Sequence, residues 1–88
     1  MNRERLDAAV RAAATVLRPH LGDDVALERA RNMACVWACS DADEPYTERD
    51  ATEQILAARL DCYGGVPVTH GEAESLAARV LLALDGVA

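Results

Sequence analysis

Four side chains in this sequence could together bind a metal ion: Cys35, Cys39, Cys62 and His70. Cys35 and Cys39 are four residues apart, so a helix places them on one face, one turn apart. Thiolate sulfur and imidazole nitrogen are common ligands of tetrahedral zinc sites. The spacing matches none of the common zinc fingers or ribbons, so simple packing of the cysteines in the core is the first expectation. A zinc-stabilised or thiol-sensing helical domain is the alternative.

Catalytic chemistry has little support in the sequence. The two histidines, His20 and His70, lie beside turn residues, where a solvated side chain is more common than a general base. No C-x-x-C pair is present, and Gly64-Gly65 ends a predicted helix where a phosphate-binding loop would have to begin one. We therefore expect no enzymatic activity and no cofactor other than, in the alternative above, zinc.

The segment 41–53 is strongly acidic. A single base, Arg49, stands in it against six acids: Asp41, Asp43, Glu44, Glu48, Asp50 and Glu53. The whole chain carries a net charge of −6, which disfavours nonspecific binding to nucleic acid or to an anionic membrane. An acidic run is most often a solvated surface. The functional interpretation is a binding surface for a basic protein partner, including one that itself binds nucleic acid.

A helix-turn-helix is a second alternative, formed by the third and fourth predicted helices. Glu72 and Glu74 would face the phosphates of DNA at the start of the reading helix, whose only base is Arg79. The turn between the helices is also longer than the three or four residues typical of that motif. Direct DNA binding is therefore disfavoured.

The elements that position these residues are predicted to be helices, in an all-α, four-helix bundle-like domain that spans residues 1–88. The second helix, about residues 24–39, has no charged residue between Asn32 and Cys39. A helix that is apolar on every face is normally surrounded by protein. We therefore predict that this helix is the buried centre of the bundle, with Trp37 as its largest anchor.

Local signals place the ends of the four helices. Asn2 is predicted to cap a first helix that Pro19 stops after Leu17, and the second helix is predicted to start on capping oxygens of Asp23 and Asp24. Thr47-Glu48-Arg49-Asp50 and Thr69-His70-Gly71-Glu72 resemble capping boxes. The third helix should reach about Tyr63, and the fourth should end at Asp85-Gly86.

The composition favours association with other chains. The hydrophobic fraction is 51%, but much of it is alanine and phenylalanine is absent, so the core is thin. Small domains with thin cores often gain stability by oligomerisation. Leu82 faces away from the apolar stripe of the fourth helix, and with Val87 it could form a self-association surface. The sequence therefore predicts a noncatalytic, acidic protein-binding domain, a homo-oligomer, and a regulator or inhibitor of a basic partner.

Three features of the sequence bear on location and origin. The first helix lacks the continuous apolar core of a signal peptide, and an odd number of cysteines fits a reducing compartment. The chain is thus predicted to be cytoplasmic. All nine basic residues are arginine, which together with the alanine content indicates a GC-rich bacterial or phage genome.

Overall fold

The computed structural model contains four helices in the residues that it describes, which are 2–61 and 68–87, with no side chains described for residues 58–61. They are α1 (Arg3–Leu21), α2 (Asp23–Cys39), α3 (Glu48–Asp61) and α4 (His70–Asp85). The helices pack as a small bundle, so the prediction of an all-α, four-helix fold is confirmed. Cys62 and the connection from Tyr63 to Pro67 lie outside the described residues.

Three of the predicted helix starts are confirmed by hydrogen bonds. The side chain of Asn2 accepts from the backbone N–H of Arg5 at 2.8 Å. Thr47 Oγ1 accepts from the N–H of Asp50 at 3.2 Å, and Thr69 Oγ1 accepts from the N–H of Glu72 at 3.1 Å. Each oxygen satisfies one of the backbone donors that the first turn of a helix leaves without a partner.

The predicted end of α1 is wrong, because the helix continues through Pro19 to Leu21. Pro19 removes one backbone hydrogen bond, and only two residues of the helix follow it. Leu21 is buried in the core, and its burial favours the extra turn. The helix instead ends at Gly22, whose N–H donates to the carbonyl of Arg18 at 3.1 Å.

The prediction that aspartate oxygens cap α2 is also wrong. Gly22 is the N-terminal cap of α2 and makes no side-chain capping bond, while its carbonyl accepts from the N–H of Ala26 at 2.9 Å. Asp23 and Asp24 are already in the first turn, where their charge favours the positive end of the helix dipole. One residue therefore closes α1 and opens α2.

Side chains of all four helices form the core. The most extensive contacts are between α1 and α2 and between α3 and α4; α1 and α4 join these two pairs, and α2 touches α3 over a small area. Buried apolar side chains of the described helices are Ala9, Ala13, Ala14, Leu17, Leu21, Ala26, Ala30, Met33, Ala34, Ala51, Ile55, Ala73, Leu76, Ala77, Val80 and Leu84.

The prediction that α2 is the buried centre of the bundle is therefore wrong. Val36 is 46% exposed, Cys35 and Cys39 are exposed, and Trp37 is half-buried at the edge of the core. The side of α2 that faces α1 consists mainly of alanine, so an uncharged sequence does not require burial on the other side. Cys35 and Cys39 accordingly do not pack in the core as first expected.

Among the described residues, no helix has both the length and the apolar character required to cross a membrane.

Candidate functional site

A pocket of about 480 Å³ lies at the C-terminal end of α2. Its lining combines two thiols and apolar groups with acids, in the residues Cys35, Val36, Cys39, Ser40, Glu44, Pro45, Tyr46 and Asp50. We call it the thiol pocket. The structure thus brings together Cys35 and Cys39, which sequence spacing had paired, and two of the six predicted acids.

Tyr46 fixes one wall of the thiol pocket. Its hydroxyl donates a short hydrogen bond to Gln54 Oε1, which joins the 40–46 loop to α3. Burial raises the pKa of the Tyr46 hydroxyl well above its ordinary value, and the negative charge of Asp50 raises it further. Tyr46 therefore stays protonated and acts as a fixed donor.

Asp41 shapes the loop that carries the acids. Its carboxylate oxygen Oδ1 accepts from the N–H of Asp43 at 2.9 Å and from that of Glu44 at 2.8 Å. Its own N–H donates to the carbonyl of Glu44 at 3.2 Å. An aspartate that binds the backbone two and three residues ahead is typical of a turn. Asp41 thus has a structural role in addition to its exposure.

Asp50 is likewise committed to local structure. Its carboxylate oxygen Oδ2 accepts from the N–H of Thr47 at 3.1 Å and from the Thr47 hydroxyl at 2.9 Å. These two hydrogen bonds, with a smaller contribution from the charge of Arg49, lower the pKa of Asp50 from its ordinary value. The carboxylate is therefore ionised, and it closes the capping box of α3.

Four acids remain available to a partner, and we call them the acidic surface: Asp43, Glu44, Glu48 and Glu53. All four are exposed. Glu53 forms an exposed ion pair with Arg49 at 3.5 Å. Exposed pairs of this kind contribute about 0–1 kcal/mol, so Glu53 can exchange this arginine for one of a partner at little cost.

His70 lies at a different pocket, of about 470 Å³, between the first turns of α3 and α4. The lining residues are Glu48, Arg49, Thr52, Glu53, Leu56, His70 and Glu74, and His70 Nε2 is 3.7 Å from Glu74 Oε1. No three His, Cys, Asp or Glu side chains within the described part of the chain are grouped so that they could hold a metal ion. Cys62 lies outside that part, and the four-ligand zinc hypothesis stays a prediction.

Comparison with known proteins finds no matching family model, no similar curated protein and no similar solved structure. The function must therefore be argued from the surfaces of the molecule.

A third pocket, of about 410 Å³, lies between α1 and α2 and was missed by sequence reasoning. Its lining is apolar at the base and charged at the rim: Leu6, Asp7, Val10, Arg11, Leu27, Arg31 and Cys35. The available signal was the four-residue spacing of Leu27, Arg31, Cys35 and Cys39, which places them on one ridge of a helix. This spacing did not predict a pocket because α2 was expected to be enclosed by the other helices.

The two residues of the predicted self-association surface differ in their surroundings. Leu82 is 72% exposed, whereas Val87 is half-buried and packs against the core.

The charges at the start of α4 are unfavourable for DNA binding. Glu72, Glu74 and Arg79 are exposed, and the two glutamates would repel the phosphates of DNA.

Proposed function

We propose that this chain is a noncatalytic, cytoplasmic protein-binding domain whose acidic surface binds a basic segment of a partner protein. The observation that carries the proposal is that Asp43, Glu44 and Glu48 are exposed and form no ion pair within the described part of the chain. Carboxylates that are already hydrated and unpaired gain Coulomb energy from a cationic partner without breaking an internal contact.

The loop supports this proposal because it holds the acids in place before binding. Hydrogen bonds to Asp41 order the backbone at Asp43 and Glu44, and Tyr46 joins the loop to α3. An ordered surface loses less conformational entropy on binding than a flexible one. A partner whose basic segment otherwise binds nucleic acid would be inhibited by direct competition, which gives the domain a regulatory role.

A fluorescein-labelled arginine-rich peptide tests the acidic surface by fluorescence anisotropy. The triple variant Asp43→Asn, Glu48→Gln, Glu53→Gln should bind about tenfold more weakly, because three exposed ion pairs at about 0.2–1 kcal/mol each are lost. Affinity of the unaltered protein should also fall steeply as salt rises, since exposed charges are screened.

The matched control is Glu4→Gln, Asp24→Asn, Asp85→Asn, which removes three exposed acids from α1, α2 and α4. Both variants have a net charge of −3, from −6 plus three. Equal losses in the two variants would mean that the peptide responds to net charge alone, and would refute a localised surface. Preferential binding of a labelled DNA duplex would favour the helix-turn-helix alternative instead.

Self-association is a second part of the proposal, and the exposure of Leu82 supports it. Leu82 is 72% exposed, so any contact with a second chain would remove apolar area of this side chain from water. Sedimentation of the variant Leu82→Gln measures how much Leu82 contributes to self-association, separately from other surfaces.

A further inference from the structure

Two pockets adjoin on the exposed side of α2. Cys35 lines both the thiol pocket and the pocket between α1 and α2, and it stands between them along the helix. We call the two adjoining pockets together the α2 groove. Their lining residues on α2 run from Leu27 to Cys39.

The groove exposes apolar and polarisable groups at its middle. Val36 is 46% exposed, and Cys35 and Cys39 are both exposed beside it. Leu6, Val10 and Tyr46 are half-buried along its walls and pack against the core. These groups offer apolar area that contact with a second chain would remove from water.

The two ends of the groove carry opposite charge. Arg11 and Arg31 stand at one end with Asp7, a net charge of +1, and Glu44 and Asp50 stand at the other, a net charge of −2. Arg31 belongs to the same ridge of α2 as Cys35. A surface with one basic and one acidic end is complementary to itself after a half-turn, because the half-turn places each end against the opposite end of the copy.

We infer that the α2 groove binds a second copy of this chain, in a two-fold symmetric dimer that places Arg31 of each copy near Glu44 of the other. The α2 ridges, with residues four apart, then pack into each other's grooves, which gives helix crossing angles of about −50°. Cys35, in the middle of the groove, lies close to the two-fold axis. The inference concerns self-association, and it shares one residue, Glu44, with the acidic surface. The other three acids of that surface line neither pocket of the groove.

A charge exchange tests the dimer directly. Arg31→Glu and Glu44→Arg should each raise the dimer dissociation constant at least about tenfold, because each places like charges opposite one another at both ends. The double variant Arg31→Glu, Glu44→Arg should restore dimerisation, since both opposite-charge pairs are formed again in reversed order. Sedimentation velocity over a concentration series measures all three, and far-UV circular dichroism checks that each remains helical.

A control variant on another face shows whether the effect belongs to this one. Arg79→Glu reverses an exposed arginine on α4 and should dimerise like the unaltered protein. Leu82→Gln separately tests the other candidate surface for self-association. Restoration in the double variant cannot come from a general change in net charge, because the double variant has the same net charge as the unaltered chain.

A cysteine cross-link measures the position of the axis independently. In the variant Cys39→Ser, Cys62→Ser, a bifunctional maleimide should join Cys35 of two copies into a covalent dimer, and Arg31→Glu in that background should suppress the product. Each maleimide adds one thiol across its double bond, so no oxidant is required. The same reagent on the variant that lacks Cys35 but keeps Cys39 should give less dimer.

Several results would overturn the inference. A chain that stays monomeric throughout the concentration series has no such dimer, and single charge reversals without effect, or a double variant that fails to recover, exclude this pairing of ends. Loss of the dimer in Leu82→Gln alone would assign self-association to α4. Binding of the arginine-rich peptide is compared in the unaltered protein and in Arg31→Glu, which keeps all four acids of the acidic surface. Failure of the dimer is therefore distinguishable from failure of the acidic surface.

Discussion

Trp37 is the largest apolar side chain of the sequence, but it contributes to the edge of the core and not to its centre. It is half-buried, whereas the smaller Leu84 is fully buried between helices. The stabilisation that a side chain provides follows the apolar area that it removes from water, not its size. Because part of Trp37 stays exposed, its contribution to stability is smaller than the size of its side chain suggests.

We expect Leu84→Ala to lower the free energy of unfolding by about 2–5 kcal/mol, as is usual for a buried leucine. Trp37→Ala should cost less than the roughly 3 kcal/mol that is the lower limit for a fully buried tryptophan. Urea denaturation followed by circular dichroism measures both. A larger loss for Trp37→Ala than for Leu84→Ala would restore Trp37 as the main anchor.

The pKa of Asp50 should depend on the hydroxyl of Thr47. In the variant Thr47→Val the hydrogen bond from that hydroxyl is lost, so the pKa of Asp50 should rise toward its ordinary value of about 3.9. Because the pKa is lowered by folding, the associated stability is present above the unfolded-state pKa and is lost as pH falls through the folded-state value. Carboxyl chemical shifts in an NMR titration report the pKa.

Thr15→Val is the matched control for this titration. The Thr15 hydroxyl also donates to a neighbour, the carbonyl of Arg11 at 2.9 Å, but Thr15 lies on α1, not on α3. It should leave the titration of Asp50 unchanged. An unchanged Asp50 pKa in Thr47→Val would show that the Thr47 hydroxyl does not stabilise the carboxylate.

At the scale of elements, the junction between α1 and α2 depends on one glycine. Gly22 has φ +80° and ψ 163°, a conformation that is essentially confined to glycine. A Cβ atom added there meets nothing within 4 Å, so a substitution is opposed by backbone strain alone. Gly22→Ala should therefore lower the free energy of unfolding by about 1–3 kcal/mol.

Gly71→Ala is the matched substitution for Gly22→Ala, because the space beside Gly71 is also open but its backbone is helical. It should stabilise the protein by about 0.4–1 kcal/mol through the reduced freedom of the unfolded chain. Thermal unfolding of the two variants should thus shift in opposite directions. Shifts in the same direction would mean that the conformation of Gly22 is not strained for alanine.

The ends of helices could be predicted where the signal is local. Asn2, Thr47 and Thr69 are capping residues whose partners lie three residues ahead, so the sequence contains the whole interaction. Pro19 was misleading because whether a helix continues past a proline depends on what the next turn buries, here Leu21. That burial is a tertiary contact, which no local pattern specifies.

At the scale of the whole molecule, the number and type of elements were predictable, but their arrangement was not. Apolar periodicity shows that a helix has a face to bury, and it does not say which helix covers that face. The alanine and uncharged residues of α2 were equally compatible with a central and an outer position. The structure packs the four helices around a shared core, and Cys35 and Cys39 of α2 are exposed.

For the candidate surfaces too, the residues were predictable but their arrangement was not. All six acids of the 41–53 segment were identified by composition, since a dense run of charge has to be solvated. Their separate roles depend on hydrogen-bond geometry: Asp41 and Asp50 bind backbone, while the acidic surface stays available. The α2 groove could not be found, because its two pockets combine residues from α1, α2 and the loop that are distant in sequence.

The single-residue junction at Gly22 also restricts how the chain length can vary. One residue added inside α1 would rotate the rest of α1, and α2 behind it, by about 100° around the helix axis. Gly22 alone connects the two helices, and one residue is too short to reverse that rotation. Insertions and deletions between residues 3 and 39 should therefore misalign the packed faces of both α1 and α2. The 40–46 segment can absorb such changes in length, and variants of this protein that differ in length should differ there.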